Sequence, residues 1–494
     1  IRSSWMYPVS WQDKRICYTE KRACDAFSVF SGGLILEKKK KSFELRTTQI
    51  IALGFVILIL TGSVLLTLPI ASSSGEATPY IDALFTATTS SCVTGLVTVV
   101  TGEHWSFFGQ AVILVMIQMG GLGVVSFTTF LLMIARKRIQ LKQRMLIQEA
   151  YGFDTLTGMV RMVRRMIWGT MIVEALGAIL YMIVYIPRYG LLKGIWVSVF
   201  TSISAFCNAG MDLMGADSMI PYVSHPLMNM VTMGLIIIGG LGFFVWWDLA
   251  AAVRRVFREK MSLRQSVRRM SLHSKLVLCV TGALIFGGAL IFFVLEYNNP
   301  ATMGKLSLGG KIWASLFQSV TLRTAGFASI DQGSLRTGSA LLGCVLMFVG
   351  GSPGGTAGGV KTVTVTLLAC AVLAIVNGRE DVELGHRRVS METVMKGICV
   401  ILLQVFFLVL STFAMCCFES DIPFIRIMYE TFSALGTVGL TMGITESLSL
   451  AGKLVIIASM YFGRLGPITM AMIMNVSGNK KKVHRRLPDG KVFI

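Results

Sequence analysis

Charge is scarce in this sequence. Asp, Glu, Lys and Arg make up 15% of the 494 residues, against about 25% in an average soluble domain. Hydrophobic residues make up 54% and the mean hydropathy is +0.68. That is more apolar sequence than a set of soluble cores could bury, so a soluble protein of roughly three domains is excluded. No CxxC pair occurs among the ten Cys, and Cys416 and Cys417 are adjacent, which rules out an ordinary bridge between them. The cysteines read as small apolar packers, not as a disulfide framework or metal ligands. Five dispersed His form no HExxH, and no paired carboxylate or Ser/His constellation falls at membrane depth, so enzyme chemistry is not expected. The first 46 residues are polar and run into Lys38-Lys39-Lys40-Lys41, so no cleavable signal peptide is expected, and residues 1–40 are assigned no function.

What the chain does have is apolar runs. Eight stretches, roughly 48–70, 106–135, 163–186, 227–251, 274–296, 338–376, 395–418 and 453–475, reach the length of about 20 residues that spans a bilayer. Between the members of each pair lies a shorter, half-apolar segment rich in Ser, Thr and Phe: 81–94, 196–209, 311–325 and 426–438. These are too short to cross and end at a glycine, which predicts a re-entrant helix followed by extended backbone. Irregular backbone at membrane depth is tolerated only where protein buries it or where it lines an aqueous cavity.

The pattern occurs four times. The segments end in Cys92-Val93-Thr94-Gly95, Cys207-Asn208-Ala209-Gly210, Arg323-Thr324-Ala325-Gly326 and Gly436-Thr437-Val438-Gly439, with glycines 115, 116 and 113 residues apart. A second glycine signal follows 25, 29, 24 and 24 residues later, at Gly120, Gly239, Gly350 and Gly463. Landmarks in register over four copies identify an internal repeat. The fold class is therefore all-α and membrane-embedded: four span, re-entrant helix, span units with pseudo-fourfold symmetry. The units fall at 46–138, 139–256, 257–378 and 379–478, between an N-terminal segment 1–45 and a basic tail 479–494.

Charge distribution gives the orientation. The net charge of +20 comes from 46 Lys and Arg against 26 Asp and Glu; 36 of the 46 lie in the termini and the connections between repeats. Eight lie in the loops that hold the re-entrant segments, and Lys361 and Arg464 lie inside spans. The positive-inside rule then places both termini in the cytoplasm and lets the re-entrant segments enter from outside. The positive charge marks orientation and is no sign of nucleic-acid binding.

A short helix entering from outside aims its partly negative C-terminal end at the membrane middle, which favours a cation. Four such ends around one axis, followed by backbone carbonyls that replace an ion's water shell, make a cation filter. The expected filter residues are Val93, Thr94, Gly95, Asn208, Ala209, Gly210, Thr324, Ala325, Gly326, Thr437, Val438 and Gly439. The absence of a carboxylate ring argues against a divalent-cation filter. For Gly120, Gly121, Gly239 and Gly240, close helix packing is the better reading.

Two places break the fourfold pattern. The run Gly350-Gly351-Ser352-Pro353-Gly354-Gly355-Thr356-Ala357-Gly358-Gly359 cannot hold a continuous helix, and a loop there would obstruct the ion path from below, or else form a kink that tightens packing. It is no P-loop, because Val360 stands between Gly359 and Lys361. The second break is Arg464, standing where the other repeats have Gly121, Gly240 and Gly351. It reads as an electrostatic barrier below the filter, a partner of the 350–359 loop, or a carbonyl anchor. Glu174 reads as an interhelical tether and Asp248 as interfacial.

Together these motifs resemble the pore loops of the Trk/Ktr/HKT potassium transporter superfamily, over about residues 45–478. The stretch 350–359 resembles that family's intramembrane gating loop, and Gly463-Arg464 its final-repeat arginine. The compact length is most similar to the Ktr-type membrane subunit, with a Trk-type subunit as the alternative. The resemblance implies K⁺ uptake across a bacterial inner membrane by a homodimer with one pore per subunit. It also implies a cytoplasmic ring of nucleotide-binding subunits, responding to ATP/ADP or NAD, on the basic face. Four filter glycines match the K⁺-preferring pattern; a serine at the first, which raises Na⁺ permeation in some relatives, is absent here. Na⁺ as an activator or coupled ion stays an alternative, and no cofactor is expected in this chain.

Overall fold

In a computed structural model, residues 47–134, 145, 159–379, 381–384 and 387–466 are described. The N-terminal segment 1–45, most of the basic stretch 135–158, the end of the last span and the tail 479–494 lie outside the described residues.

Each repeat begins with a long apolar helix: α1 (Thr47–Thr67), α5 (Met159–Tyr189), α10 (Leu272–Glu296) and α14 (Met391–Phe418). All four are long and apolar enough to cross a membrane. On α1 the side chains of Ile50, Leu53, Ile57, Leu60 and Val64 are exposed at helical spacing, an outward face suited to lipid. A shorter helix follows in each repeat: α2 (Tyr80–Cys92), α6 (Leu191–Cys207), α11 (Leu308–Thr321) and α15 (Phe424–Gly436). These have the opposite composition. Ser and Thr such as Thr89, Ser90, Ser204, Ser319 and Ser433 are fully buried on them. Their C-terminal halves are therefore enclosed by protein, while residues near their starts, such as Leu192 and Phe424, stay exposed.

The third helix of each repeat is α3 (Phe107–Leu122), α7 (Pro226–Gly240), α12 (Thr337–Phe348) and α16 (Leu450–Leu465). Ser106 and Ser449 cap α3 and α16 by accepting from the N–H three residues on, and His225 does so for α7, with Pro226 at its first position.

Here the expected architecture needs correction. A continuous second span was expected in repeats 1 and 2, with a break in repeat 3 alone. In the structure every third helix stops at its glycine landmark. The stretch 106–135 divides at Gly123 (φ 82°), where α4 (Val124–Ile134) begins. The stretch 227–251 divides at Gly242 (φ 88°), and α8 (Phe243–Arg258) leaves α7 at 107°. The helix of repeat 4 ends at Gly466 (φ 80°). The reason is local. These three glycines hold a positive φ that a helix cannot continue through and other residues adopt only with strain. In repeat 3 the interruption widens into the 349–361 loop before α13 (Thr362–Val376).

The connections include α9 (Leu263–Arg268) and a short antiparallel hairpin, β1 (Val382–Leu384) with β2 (Arg387–Val389), in which Glu383 faces Arg388. The eight cysteines among the described residues are free.

Candidate functional site

The C-terminal ends of the four short helices are built alike. The residue after the helix, or nearly so, is left-handed although it is not glycine: Val93 (φ 57°), Asn208 (60°), Thr324 (69°) and Thr437 (53°). Two residues on comes a glycine of positive φ: Gly95 (102°), Gly210 (65°), Gly326 (84°) and Gly439 (95°). Between them Thr94, Ala209, Ala325 and Val438 keep the ordinary hand. Alternating handedness turns successive peptide planes toward the same side, so neighbouring carbonyls can line one axis.

The four strands interlock in a closed cycle. A Cβ on Gly95 would lie 2.5 Å from the Ala209 carbonyl oxygen, and one on Gly210 would lie 2.6 Å from that of Ala325. On Gly326 it would lie 2.5 Å from the Val438 oxygen, and on Gly439 it would overlap the Thr94 oxygen. Each glycine thus meets the carbonyl of the residue before the glycine in the next repeat, in the order 1, 2, 3, 4 and back to 1. All four repeats meet at one point, with no room for a side chain.

The buried Ser and Thr explain how these strands are held. Thr89 Oγ1 accepts from the Gly95 N–H (2.9 Å), and Ser433 Oγ accepts from the Gly439 N–H (3.0 Å). Ser204 Oγ accepts from the Met211 N–H (3.1 Å), and Thr321 Oγ1 donates to the Phe327 carbonyl (2.7 Å). One hydroxyl, six or seven residues upstream, braces each strand. Sequence reasoning saw the Ser/Thr clusters without this role; a hydroxyl five or six residues before each glycine was the signal available. The helix landmarks add a second brace. A Cβ on Gly120, Gly239 or Gly463 would overlap the carbonyl of Ser91, Phe206 or Leu435, each four residues before its repeat's glycine. The packing reading of Gly120 and Gly239 is therefore met.

On one side of the ring lies a cavity of about 300 Å³, floored by Gly95, Gly210, Gly326 and Gly439 and bearing Asp212 and Glu446 on its walls. Burial pushes the Asp212 carboxyl up to about 6, although Ser218 Oγ (2.5 Å) and the Met214 N–H (3.0 Å) donate to it. Above that pH it is a carboxylate that attracts cations, and below it the cavity loses one negative charge. If this cavity receives a cation, its capture is expected to weaken between pH 7 and pH 5, as a rise in the half-saturating concentration of a monovalent cation, and Asp212→Asn should flatten that dependence.

On the other side the ring has buried polar atoms that lack a hydrogen-bond partner among the described residues: the hydroxyls of Thr94, Thr324 and Thr437 and the Asn208 amide. Unsatisfied groups at such a depth are costly unless something else binds them. The glycine-rich loop closes on this face. A Cβ on Gly358 would overlap the Thr437 hydroxyl, and Thr356 Oγ1 donates to the Phe206 carbonyl (3.1 Å). The loop is fastened to the bend after α7, with the Ser352 N–H on the Gly240 carbonyl (2.9 Å), the Thr356 N–H on that of Gly239 (3.1 Å) and the Phe243 N–H on that of Gly354 (3.1 Å).

Two cations hold it from within. Lys361 Nζ donates to the Ala357 carbonyl (2.7 Å). The Arg464 guanidinium donates to the carbonyls of Thr356 (2.5 Å), Gly121 (3.2 Å) and Gly120. Among the readings open for Arg464, the geometry shows a carbonyl anchor that joins the loop to repeat 1. Glu174 accepts from Gln118 Nε2 (3.2 Å), the tether expected of it, and Asp248 binds Ser271 and Ser274 at the start of α10. Among the described residues no cluster of His, Cys, Asp or Glu could hold a metal ion.

Comparison with known proteins agrees with this architecture. The family profile described as "TrkH: Cation transport protein" matches residues 22–484. The "Ktr system potassium uptake protein B" of Bacillus subtilis is 39% identical over 462 residues, covering 93% of this chain and all of that protein. The "Potassium/sodium uptake protein NtpJ" of Enterococcus hirae is 38% identical, with the same shares covered. The crystal structure of the potassium transporter TrkH from Vibrio parahaemolyticus is similar with a TM-score of 0.68 at 16% identity, over 89% of this chain and 86% of that one.

Proposed function

Because the chain belongs to the TrkH family of cation transport proteins, which are membrane transporters and not enzymes, we propose that it takes K⁺ into the cell through the ring of four glycine-ended strands. The observation that carries this reading is the closed cycle of Gly95, Gly210, Gly326 and Gly439 at the floor of the acidic cavity. Helix C-termini and carbonyls gathered there favour a cation of +1 charge, with no carboxylate in the ring to draw a divalent ion. The filter comprises residues 93–95, 208–210, 324–326 and 437–439, entered from outside through the cavity at Asp212.

Loop 350–359 with Arg464 and Lys361 forms the gate beneath it. The similarity to a protein named as part of a Ktr system supports a regulatory partner. We place on the basic face a cytoplasmic ring of nucleotide-binding subunits, ATP/ADP- or NAD-responsive, and assign the pore subunit to a homodimer in the bacterial inner membrane with both termini inside. The name of the Enterococcus relative favours a second reading, in which Na⁺ accompanies or replaces K⁺.

Uptake of K⁺, Rb⁺ and Na⁺ into liposomes holding the full chain separates these readings. The expected order is K⁺ close to Rb⁺ and well above Na⁺. Equal Na⁺ and K⁺ entry would reject a K⁺-selective ring, and movement of Cl⁻ in place of cations would reject a cation path.

A further inference from the structure

The bend at Gly242 sends α8 away from the axis, and the corner it forms carries a pattern that the pore does not use. Residues 253–258 read Val-Arg-Arg-Val-Phe-Arg and residues 263–268 read Leu-Arg-Gln-Ser-Val-Arg. On α8, Val253 and Phe257 share one helix face, with Arg254 and Arg258 on the face beside it. On α9, Leu263 and Val267 repeat the arrangement with Arg264 and Arg268. The four apolar side chains are exposed, Phe257 by 80% and Leu263 by 70%, and so are the four arginines. None of these arginines takes part in an ion pair found among the described residues.

Hydrogen bonds tie this corner to the start of a spanning helix. Asp248 on α8 accepts from the Ser271 N–H (3.1 Å) and from Ser271 Oγ (2.5 Å) and Ser274 Oγ (2.6 Å), at the first turn of the spanning helix α10. Arg255 and Ser266 hydrogen-bond across α8 and α9 and join the two helices. The apolar faces therefore sit where a span enters the bilayer, with a row of arginines beside them. That is the arrangement of an interfacial amphipathic helix, whose apolar face enters the acyl boundary while its arginines meet headgroup phosphates.

We propose that the α8–α9 corner is a binding site for anionic phospholipid and that its occupancy sets the position of loop 350–359. The coupling is direct. The bend that launches α8 is the one to which the loop is fastened, through Gly239, Gly240 and the Phe243 N–H. The Phe244 ring also packs beside Gly354, 3.3 Å from where a Cβ would stand. Seating the corner in an anionic surface holds that bend, and the loop with it, in one place. The flux part of this inference rests on the transport reading above; the binding part does not.

The test uses the full chain with Arg254, Arg258, Arg264 and Arg268 all changed to Gln. Bound phosphatidylglycerol is counted by native mass spectrometry, and Rb⁺ flux is measured in liposomes of phosphatidylcholine with and without phosphatidylglycerol. Removing four positive charges from an anionic surface is expected to weaken phosphatidylglycerol binding by the variant at least about tenfold. Its flux in pure phosphatidylcholine should match that of the unaltered chain, whose flux alone should change when phosphatidylglycerol is added. Retained phosphatidylglycerol binding by the variant overturns the site. An equal response of both proteins to phosphatidylglycerol overturns the coupling. Absence of flux in every lipid, with phosphatidylglycerol binding lost only in the variant, rejects the transport reading and leaves the site standing.

Discussion

Gly439→Ala is expected to reduce K⁺ uptake to the level of cells that lack the protein. At φ 95° a side chain is strained whatever the space, and here the new Cβ would overlap the Thr94 carbonyl oxygen of the neighbouring strand. The backbone term alone is about 1–2 kcal/mol, equivalent to roughly a tenfold change in an equilibrium. The displaced carbonyl adds to it, because the proposed filter would lose one of the oxygens offered to the ion. Gly95→Ser and Gly326→Ser press on Ala209 and Val438 in the same way, at 2.5 Å, and should raise Na⁺ entry relative to K⁺. Gly234→Ala on α7, where a Cβ has open space, is the control and should leave uptake unchanged. Ion preference unaltered in both serine variants would remove the filter assignment.

Removal of residues 354–358 is expected to raise the rate of Rb⁺ flux, and Arg464→Met to do so in part. The Arg464 guanidinium joins Thr356 of the loop to Gly120 and Gly121 of repeat 1. Each hydrogen bond from a charged donor is worth about 1.5–3 kcal/mol. Loss of that hold shifts the loop between closed and open by roughly tenfold to a hundredfold. The two changes act on one element, so their effects should not add: the double variant should behave like the deletion. Liposome flux at constant protein, with folding checked by helix content, decides the matter. Loss of flux in a folded deletion variant would mean that the loop supports the pathway and does not obstruct it.

Much of this organisation was legible in the sequence, for identifiable reasons. Four glycines nearly equally spaced, each behind a Ser/Thr cluster, are a long-range regularity that survives without coordinates. A glycine-rich run with a proline inside an apolar stretch is equally plain, since no helix tolerates it. The breaks at Gly123 and Gly242 were missed because one glycine of positive φ leaves the hydropathy of a run unchanged. The partners of Arg464 were open because backbone carbonyls carry no sequence signature. Asp212 and the bracing hydroxyls were missed for a related reason. Asp212 matters by facing a cavity that three other repeats help to floor, and Thr89 or Ser433 by reaching a backbone N–H that only the folded turn brings near.

The left-handed residues below the glycines are Val93, Asn208, Thr324 and Thr437, four positions at one level with three different side chains. A pore assembled from identical subunits repeats every substitution four times. Here the four quarters are encoded separately on one chain, so a single codon change alters one wall and leaves three intact. In the filter proposed above, selectivity is adjustable in quarter steps, since one wall carries the Asn208 amide and the others hydroxyls or a methyl pair. Intermediate phenotypes at these four positions, graded by how many walls are changed, are a property that a symmetric tetramer could not display.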